Sequence, residues 1–339
     1  MPSQSRRSAT IKDVAEAAGV SVSTVSHAFS GARPISQATK KRVFEASRRL
    51  RYVPNAHARK LRLGRSGMLG LSLRPSVDFV STPDDAETFN RLAGSMATHC
   101  LHHGLGLVHV PDIVGRGHDM VPMDGCIVAH PRRNDPAIDF LESAGIPFVL
   151  IDPDPGRAAT PWSVSLDYVS GVQQILELVS GSGTRPVILI NEDEPNAWNL
   201  DSARTYSHWC ESSGFESRIC EIDGAIRGAA LEERLTAILE SEESGLGIVF
   251  MASDTTETLI EVLRRRGWSI PGDASIAALT DTAHSRMSTP TVTAMDLVHE
   301  AVSAAAVDML IARIEGAAAP STPVLISPQV NQRASTEPS

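Results

Sequence analysis

A chain of 339 residues, 42% of them hydrophobic, is long enough for more than one domain and for a substantial buried core. Its formal charge of −9 taken alone would exclude nucleic acid as a partner, but residues 1–65 hold 14 Lys and Arg against 3 Asp and Glu, leaving 17 against 37 in the remainder. A basic head therefore precedes an acidic body, which excludes a uniformly acidic surface and concentrates phosphate-binding charge in one place, where all four lysines (Lys12, Lys40, Lys41 and Lys60) also lie.

The head is patterned as helices. Thr10 can cap a first helix with Asp13 three residues on, and Ile11, Val14, Ala15 and Ala18 then share one face. Gly19 ends that helix in a turn. Ser21 can cap a second helix whose Val25, Ala28 and Phe29 point back at the first, leaving Ser23, Ser26 and His27 outward. Two short helices joined by a glycine turn make a helix-turn-helix, whose second helix is shaped to enter the major groove of DNA. A third helix can start at Ser36, with Thr39, Val43, Ala46 and Leu50 inward and Lys40, Lys41, Arg42, Arg48, Arg49 and Arg51 toward phosphates or solvent. Pro54 stops it. Asn55 offers a fresh cap to a segment too brief to hold as an isolated helix in water, so it is expected to order only on DNA. The run Arg264-Arg265-Arg266 is read as a solvated helix end instead.

Residues 64–67 link head to body. Short apolar runs at 68–73, 105–110, 125–129, 147–151, 186–190, 219–222, 247–251 and 275–279 predict strands, and helices are expected near 85–103, 135–144, 168–180, 201–213, 229–242, 255–266 and 296–315. Strands alternating with helices imply parallel sheets covered on both faces, and this many strands suits two sheets with a cleft between them. Cys100, Cys126, Cys210 and Cys220 form no close pair, so neither a disulfide framework nor a Cys-x-x-Cys metal site is expected. No signal-peptide core and no apolar run long enough to span a membrane occurs, so a soluble cytoplasmic protein is expected.

Val14-Ala15-Glu16-Ala17-Ala18-Gly19-Val20-Ser21, Thr24-Val25-Ser26, Leu50-Arg51-Tyr52-Val53-Pro54-Asn55, and Ala58 followed by Leu61 resemble the LacI/GalR family of bacterial transcription regulators. Weaker similarity continues through Val164-Ser165-Leu166-Asp167-Tyr168, Ser253-Asp254, the stretch 267–276, Thr289-Pro290-Thr291-Val292-Thr293 and Gln332-Arg333-Ala334-Ser335-Thr336. The resemblance implies an all-α helix-turn-helix head and hinge helix joined to an α/β periplasmic-binding-protein-like core of two Rossmann-like subdomains. The expected boundaries are 8–53 for the head, 54–65 for the hinge and 66–336 for the effector-binding and dimerisation core. Within the core the first subdomain takes about 66–160 and 293–320 and the second about 161–292 and 321–336, with crossings near 159–164, 289–294 and 319–324.

By the same resemblance Val22, Ser23, Ser26 and His27 read the major groove, His27 standing where the family often has a longer side chain. Asn55, Ala58 and Leu61 belong to the hinge, Leu61 being the wedge driven into the minor groove. Phosphate contacts are expected at Thr10, Ser21, Thr24, Arg33 and Tyr52. Arg74, Asp78, Phe79, Trp198, Arg204, Asp254 and Thr280 are the expected effector-binding residues, Asp254 because a carboxylate directly after an apolar strand can accept from ligand hydroxyls or amines. An N-cap for the helix that follows would also want an Asp there. Thr280 departs from the family, which commonly has an acid at that position. His99 and His103 stand one helical turn apart and could share a zinc ion, but no third ligand is visible, so an exposed or partly buried helix end without metal is expected.

No nucleophile elbow, phosphate loop or His-Glu-x-x-His pattern is present, so no catalytic residues and no cofactor are expected. The expected protein is a homodimeric repressor that binds a palindromic double-stranded operator and responds to a sugar, sugar derivative or nucleoside-like effector, without membrane association. The alternatives are a ligand-independent DNA-binding regulator and an enzyme carrying a DNA-binding head.

Overall fold

The computed structural model describes residues 9–30, 33–52, 65–73, 87–110, 113–115, 121–224, 226–251 and 255–337. Two compact units divide the chain after Ser66.

The first unit is helical. In α1 (Ile11–Ala18) the Thr10 hydroxyl accepts from the Asp13 N–H at 3.4 Å while the Thr10 N–H donates to Asp13 Oδ2 at 2.7 Å, so two donors left over by the helix geometry are satisfied. Gly19 closes the helix at φ 61, a left-handed conformation that a side chain would strain. α2 (Val22–Ser30) begins where Ser21 Oγ accepts from the Thr24 N–H at 3.1 Å, and α3 (Gln37–Leu50) begins where Ser36 Oγ accepts from the Thr39 N–H at 3.2 Å. Val14, Ala15, Ala18, Val25, Ala28, Val43 and Ala46 form a small core, flanked by an edge-on contact between Phe29 and Phe44.

The second unit opens with β1 (Met68–Ser72), α4 (Glu87–His102), β2 (Gly106–His109), β3 (Gly125–Ala129), α5 (Pro136–Ser143), β4 (Phe148–Ile151) and β5 (Ser163–Leu166). Next come α6 (Tyr168–Val179), β6 (Val187–Glu192), α7 (Ala197–Ser213), β7 (Ile219–Ile222), α8 (Gly228–Leu239), β8 (Leu246–Phe250), α9 (Thr255–Arg265), β9 (Ala274–Ala278), α10 (Ala283–Met287) and β10 (Thr293–Asp296). The chain closes with α11 (His299–Ile314), β11 (Val324–Ile326) and β12 (Gln329–Asn331).

These strands make two sheets, ordered β11-β5-β4-β3-β1-β2 and β12-β10-β9-β8-β6-β7, in which the described pairings are parallel except that of β10 with β12. Continuous burial along β3, β8 and β9 is what a parallel strand covered on both faces requires. One apolar cluster runs from Leu69 and Ile127 in the first sheet to Leu189 and Val249 in the second, and separate clusters fill the outer face of each sheet.

The structure adds β5, β10, β11, β12 and α10 to the elements expected from the sequence, and α7 starts at Ala197, capped by Asn196, rather than near 201. Crossings between lobes fall after β5, after β10 and after β11, each somewhat later than expected. The reason at the first is local: Val164 and Leu166 are buried, and Val164 pairs with Ile151 of β4, so this strand belongs to the first sheet.

The two lobes also touch beside the crossings. Arg132, beyond β3, donates to Glu194 at 2.8 Å, and the Arg133 N–H donates to the Pro195 carbonyl at 3.1 Å. On α4, Glu87 accepts from the Ala283 N–H at 2.7 Å and from Arg286 at 2.6 Å, both on α10. Burial works to raise the Glu87 pKa, but these hydrogen bonds and the neighbouring guanidinium charges of Arg286 and Arg91 outweigh it and hold the carboxyl below its usual range.

Candidate functional sites: an exposed recognition helix and a polar cleft

On the head, α2 turns Val25 and Ala28 into the core and leaves Val22 and Ser23 exposed, with Thr24 and Ser26 half-buried. His27 is less open than its position in the sequence suggests: the residue is half-buried and its Nδ1 is enclosed without a hydrogen-bond partner among the described residues. Ser21 Oγ lies within 2.7 Å of Ser23 Oγ and 2.8 Å of Thr24 Oγ1, so three hydroxyls cluster at the start of the helix. Backbone donors and the positive end of the helix dipole at such a start suit a phosphate.

Thr10 is exposed but its hydroxyl is engaged with Asp13, Arg33 is exposed, and Tyr52 packs half-buried against Phe29 at 6.0 Å between rings. Arg42 departs from its expected place among phosphate-facing side chains. Its guanidinium donates to the Ala18 carbonyl at 2.7 and 3.2 Å and to the Gly19 carbonyl at 3.2 Å, fastening the turn to α3. Lys40, Lys41, Arg48, Arg49 and Arg51 remain exposed. Asn55, Ala58 and Leu61 lie outside the described residues.

In the body, polar groups gather at the carboxyl ends of the strands, where ligands of open α/β sheets bind. Asp152 follows β4 and is 1% exposed; its Oδ2 is 2.8 Å from His130 Nδ1, which follows β3, and accepts from the Tyr168 hydroxyl of α6 at 2.7 Å. Its Oδ1 has no partner among the described residues. Tyr168 stacks on Trp198 of α7 at 6.3 Å, and the Trp198 Nε1–H is likewise enclosed and unpartnered. Ser72 Oγ at the end of β1 and Asn191 Oδ1 near the end of β6 are also buried without a hydrogen-bond partner among the described residues. Unsatisfied buried groups cost free energy, and their concentration at strand ends points to a ligand that satisfies them.

His130 and Asp152 share a second feature. Both hold positive φ, 49 and 66, conformations that side-chain-bearing residues rarely adopt and that tend to cluster at ligand-binding positions. Burial first, then the Asp152 charge and the hydrogen bond to it, push the Tyr168 pKa well above 10, so the phenol stays a donor. Burial likewise raises the Asp201 pKa, with Arg204 opposing and Asp152 adding to the rise.

Of the effector residues expected from the sequence, Trp198 lies in this cluster. Arg204 is largely exposed and bonded to Asp201 at 2.9 Å, and Thr280 is buried with its hydroxyl donating to the Met251 carbonyl at 3.4 Å. Arg74, Asp78, Phe79 and Asp254 lie outside the described residues. Sequence reasoning passed over His130, Asp152 and Tyr168. The signal was present, because Asp152 directly follows the apolar run 147–151, as Asp254 comes three residues after 251 at the end of another such run. Two other carboxylates are fully engaged: Asp154 accepts the N–H groups of Asn134, Asp135 and Gly156, and Asp281 accepts from Arg333 at 2.6 Å and Asn331 at 2.8 Å.

A basic helix-turn-helix head and a two-lobed α/β core with a polar cleft define a class, the ligand-responsive DNA-binding regulators. Residues 10–55 match the profile of bacterial regulatory proteins of the lacI family, and residues 177–336 match a periplasmic binding protein-like domain. The chain thus carries a LacI-type DNA-binding domain followed by a periplasmic-binding-protein-like domain. It is 27% identical over 321 residues to the HTH-type transcriptional repressor PurR of Haemophilus influenzae strain PittEE, covering 90% of this chain and 91% of that protein. It is also 27% identical over 348 residues to the HTH-type transcriptional regulator PtxS of Pseudomonas plecoglossicida, covering 98% and 97%. The lac repressor dimer bound to operator and the anti-inducer ONPF superposes with a TM-score of 0.80 at 17% identity, covering 97% of this chain and 99% of that one. No helix of the described residues is long and apolar enough to cross a membrane.

Proposed function

We propose that this protein is a cytoplasmic, non-enzymatic transcriptional repressor that binds a palindromic operator as a homodimer and is controlled by a small molecule held between the two lobes. Val22, Ser23, Ser26 and His27 read bases, while Ser21, Thr24, Arg33, Tyr52 and the backbone around Thr10 meet phosphates. Residues 54–65 form the hinge, with Asn55 capping it and Ala58 and Leu61 entering the minor groove. The relatives named as transcriptional repressor and regulator, and the solved repressor bound to both operator and small molecule, support this reading.

The observation that carries the effector half is the Oδ1 of buried Asp152, which has no hydrogen-bond partner among the described residues. A carboxylate in that position selects a donor-rich ligand, and the Tyr168–Trp198 stack supplies an apolar face, which together suit a sugar, sugar derivative or nucleoside. A ligand-independent regulator would have no use for such an atom. Arg74, Asp78, Phe79, Trp198, Arg204, Asp254 and Thr280 stay within the proposed pocket set, joined by His130, Asp152 and Tyr168.

Thermal-shift screening of the full chain against these ligand classes tests the proposal. The expected result is stabilisation by one class that Asp152→Ala abolishes. Silence across all classes, or the same stabilisation in Asp152→Ala, contradicts it.

A further inference from the structure

One cluster outside the cleft has ligand chemistry that the proposed function leaves unused. His99 lies in the last turn of α4 and His103 one turn further on; their Nε2 atoms are 2.9 and 3.0 Å from Asp308 Oδ1 on α11. The three candidate ligand atoms all lie within 4.8 Å of one another. We propose that His99, His103 and Asp308 bind a divalent transition-metal ion of the zinc class, with the fourth position left to water.

The donor set selects the metal. Two imidazole nitrogens and one carboxylate oxygen suit a borderline-soft ion, whereas magnesium and calcium prefer oxygen throughout. Nitrogen and oxygen ligands bound at about 2.0–2.2 Å stand about 3.3 Å apart around a tetrahedral ion. The observed separations of 2.9 and 3.0 Å open to that value with small side-chain rotations. In the metal-free cluster each Nε2 sits at hydrogen-bond distance from the shared carboxylate oxygen. Binding requires each imidazole to carry its ring proton on Nδ1, so that both Nε2 lone pairs face the ion.

The scaffold holds the ligands in place. α4 and α11 pack side by side, with Arg91 3.3 Å from Glu300 toward one end and Ser303 Oγ donating to the Leu92 carbonyl at 3.2 Å. Leu92 and Met96, seven and three residues before His99, bury the same face of α4, which fixes the direction of His99. The negative end of the α4 dipole lies at the cluster and favours a cation there. The side chains of His99, His103 and Asp308 are 25%, 41% and 57% exposed, so an ion can enter from solvent. The sequence shows the two histidines at helical spacing, but the third ligand comes from a helix remote in the chain.

Equilibrium dialysis of the full chain, stripped by chelator and then exposed to zinc with magnesium as control, tests the site. The expected result is one zinc ion per chain, no magnesium, and a higher melting temperature with zinc. His99→Ala, His103→Ala and Asp308→Asn should each weaken binding more than about tenfold, the lower bound for losing even a supporting residue. Asp308→Asn retains an oxygen that accepts hydrogen bonds, so its loss of zinc separates metal binding from a hydrogen-bonded cluster. Absence of bound zinc in the natural protein, or unchanged binding after all three substitutions are combined, overturns the proposal.

Discussion

Asp152 is a buried carboxylate of the cleft, and its neighbours hold it in place. Tyr168→Phe deletes the 2.7 Å hydrogen bond to a buried carboxylate while keeping the ring. Because the acceptor is charged and enclosed, the expected loss of unfolding free energy is about 1.5–3 kcal/mol, read by urea titration. His299, 4% exposed, makes a separate prediction: burial first, then the positive charge of Arg91, lowers its pKa to about 4 from 6.5. The folded state therefore keeps this imidazole neutral, and as pH falls the unfolded chain takes up the proton first. Stability from this group is complete above pH 6.5 and is lost as pH falls toward 4, by about 3 kcal/mol in all. Unfolding measured at pH 7 and pH 4.5 should show a smaller difference in His299→Gln than in the natural protein. The same difference in both would mean that other groups carry the pH dependence. At this scale the sequence is only partly legible. A carboxylate after an apolar run is visible at Asp152, but its partner His130 and the stack of Tyr168 on Trp198 depend on which strand lies beside which.

Among elements, the head is written almost wholly in local signals. The capping pair Thr10 and Asp13, the left-handed Gly19 and the apolar spacing of Val14, Ala15 and Ala18 lie within a few residues of one another. Gly19→Ala is expected to cost about 1 kcal/mol of head stability, and Thr10→Ala about the same, each read as a lower denaturant midpoint for that unit. Arg42→Ala should cost as much or more, because it strips the Ala18 and Gly19 carbonyls of their donated bonds. Unchanged midpoints would remove these contacts from the account. The body is less legible. β10, β11 and β12 are four, three and three residues long, too short for their apolar residues to stand out as strands in the sequence. The ion pairs Arg132–Glu194 and Glu87–Arg286 join lobes through residues far apart in the chain, and the pair of His99 with Asp308 within one lobe is equally remote in sequence. If these pairs hold the lobes together, Glu87→Gln combined with Arg132→Ala should weaken effector binding several-fold. Titration calorimetry with the ligand found by thermal shift reads that loss; an affinity equal to the natural protein's excludes the pairs from closure.

For the whole molecule, the uneven charge is the organising fact: a basic head whose charge favours phosphates and an acidic body whose charge disfavours them. Two heads carried on a paired body read two half-sites at a fixed spacing, so the preferred DNA must mirror the two-fold symmetry of the protein. If Leu61 is the proposed wedge, replacing it by Ala is expected to reduce operator affinity far more than non-specific affinity; equal losses on both would remove that role. The head's function was legible because its determinants are local and repeated across a family, whereas the effector was not, since its pocket is assembled from strand ends that no linear pattern brings together. The most direct measurement is selection of duplexes from a random-sequence pool by the purified full-length protein. The account predicts enrichment of an inverted repeat whose half-sites change when His27 is replaced by Ala. Enrichment of a single asymmetric site, or none above the random pool, would contradict it.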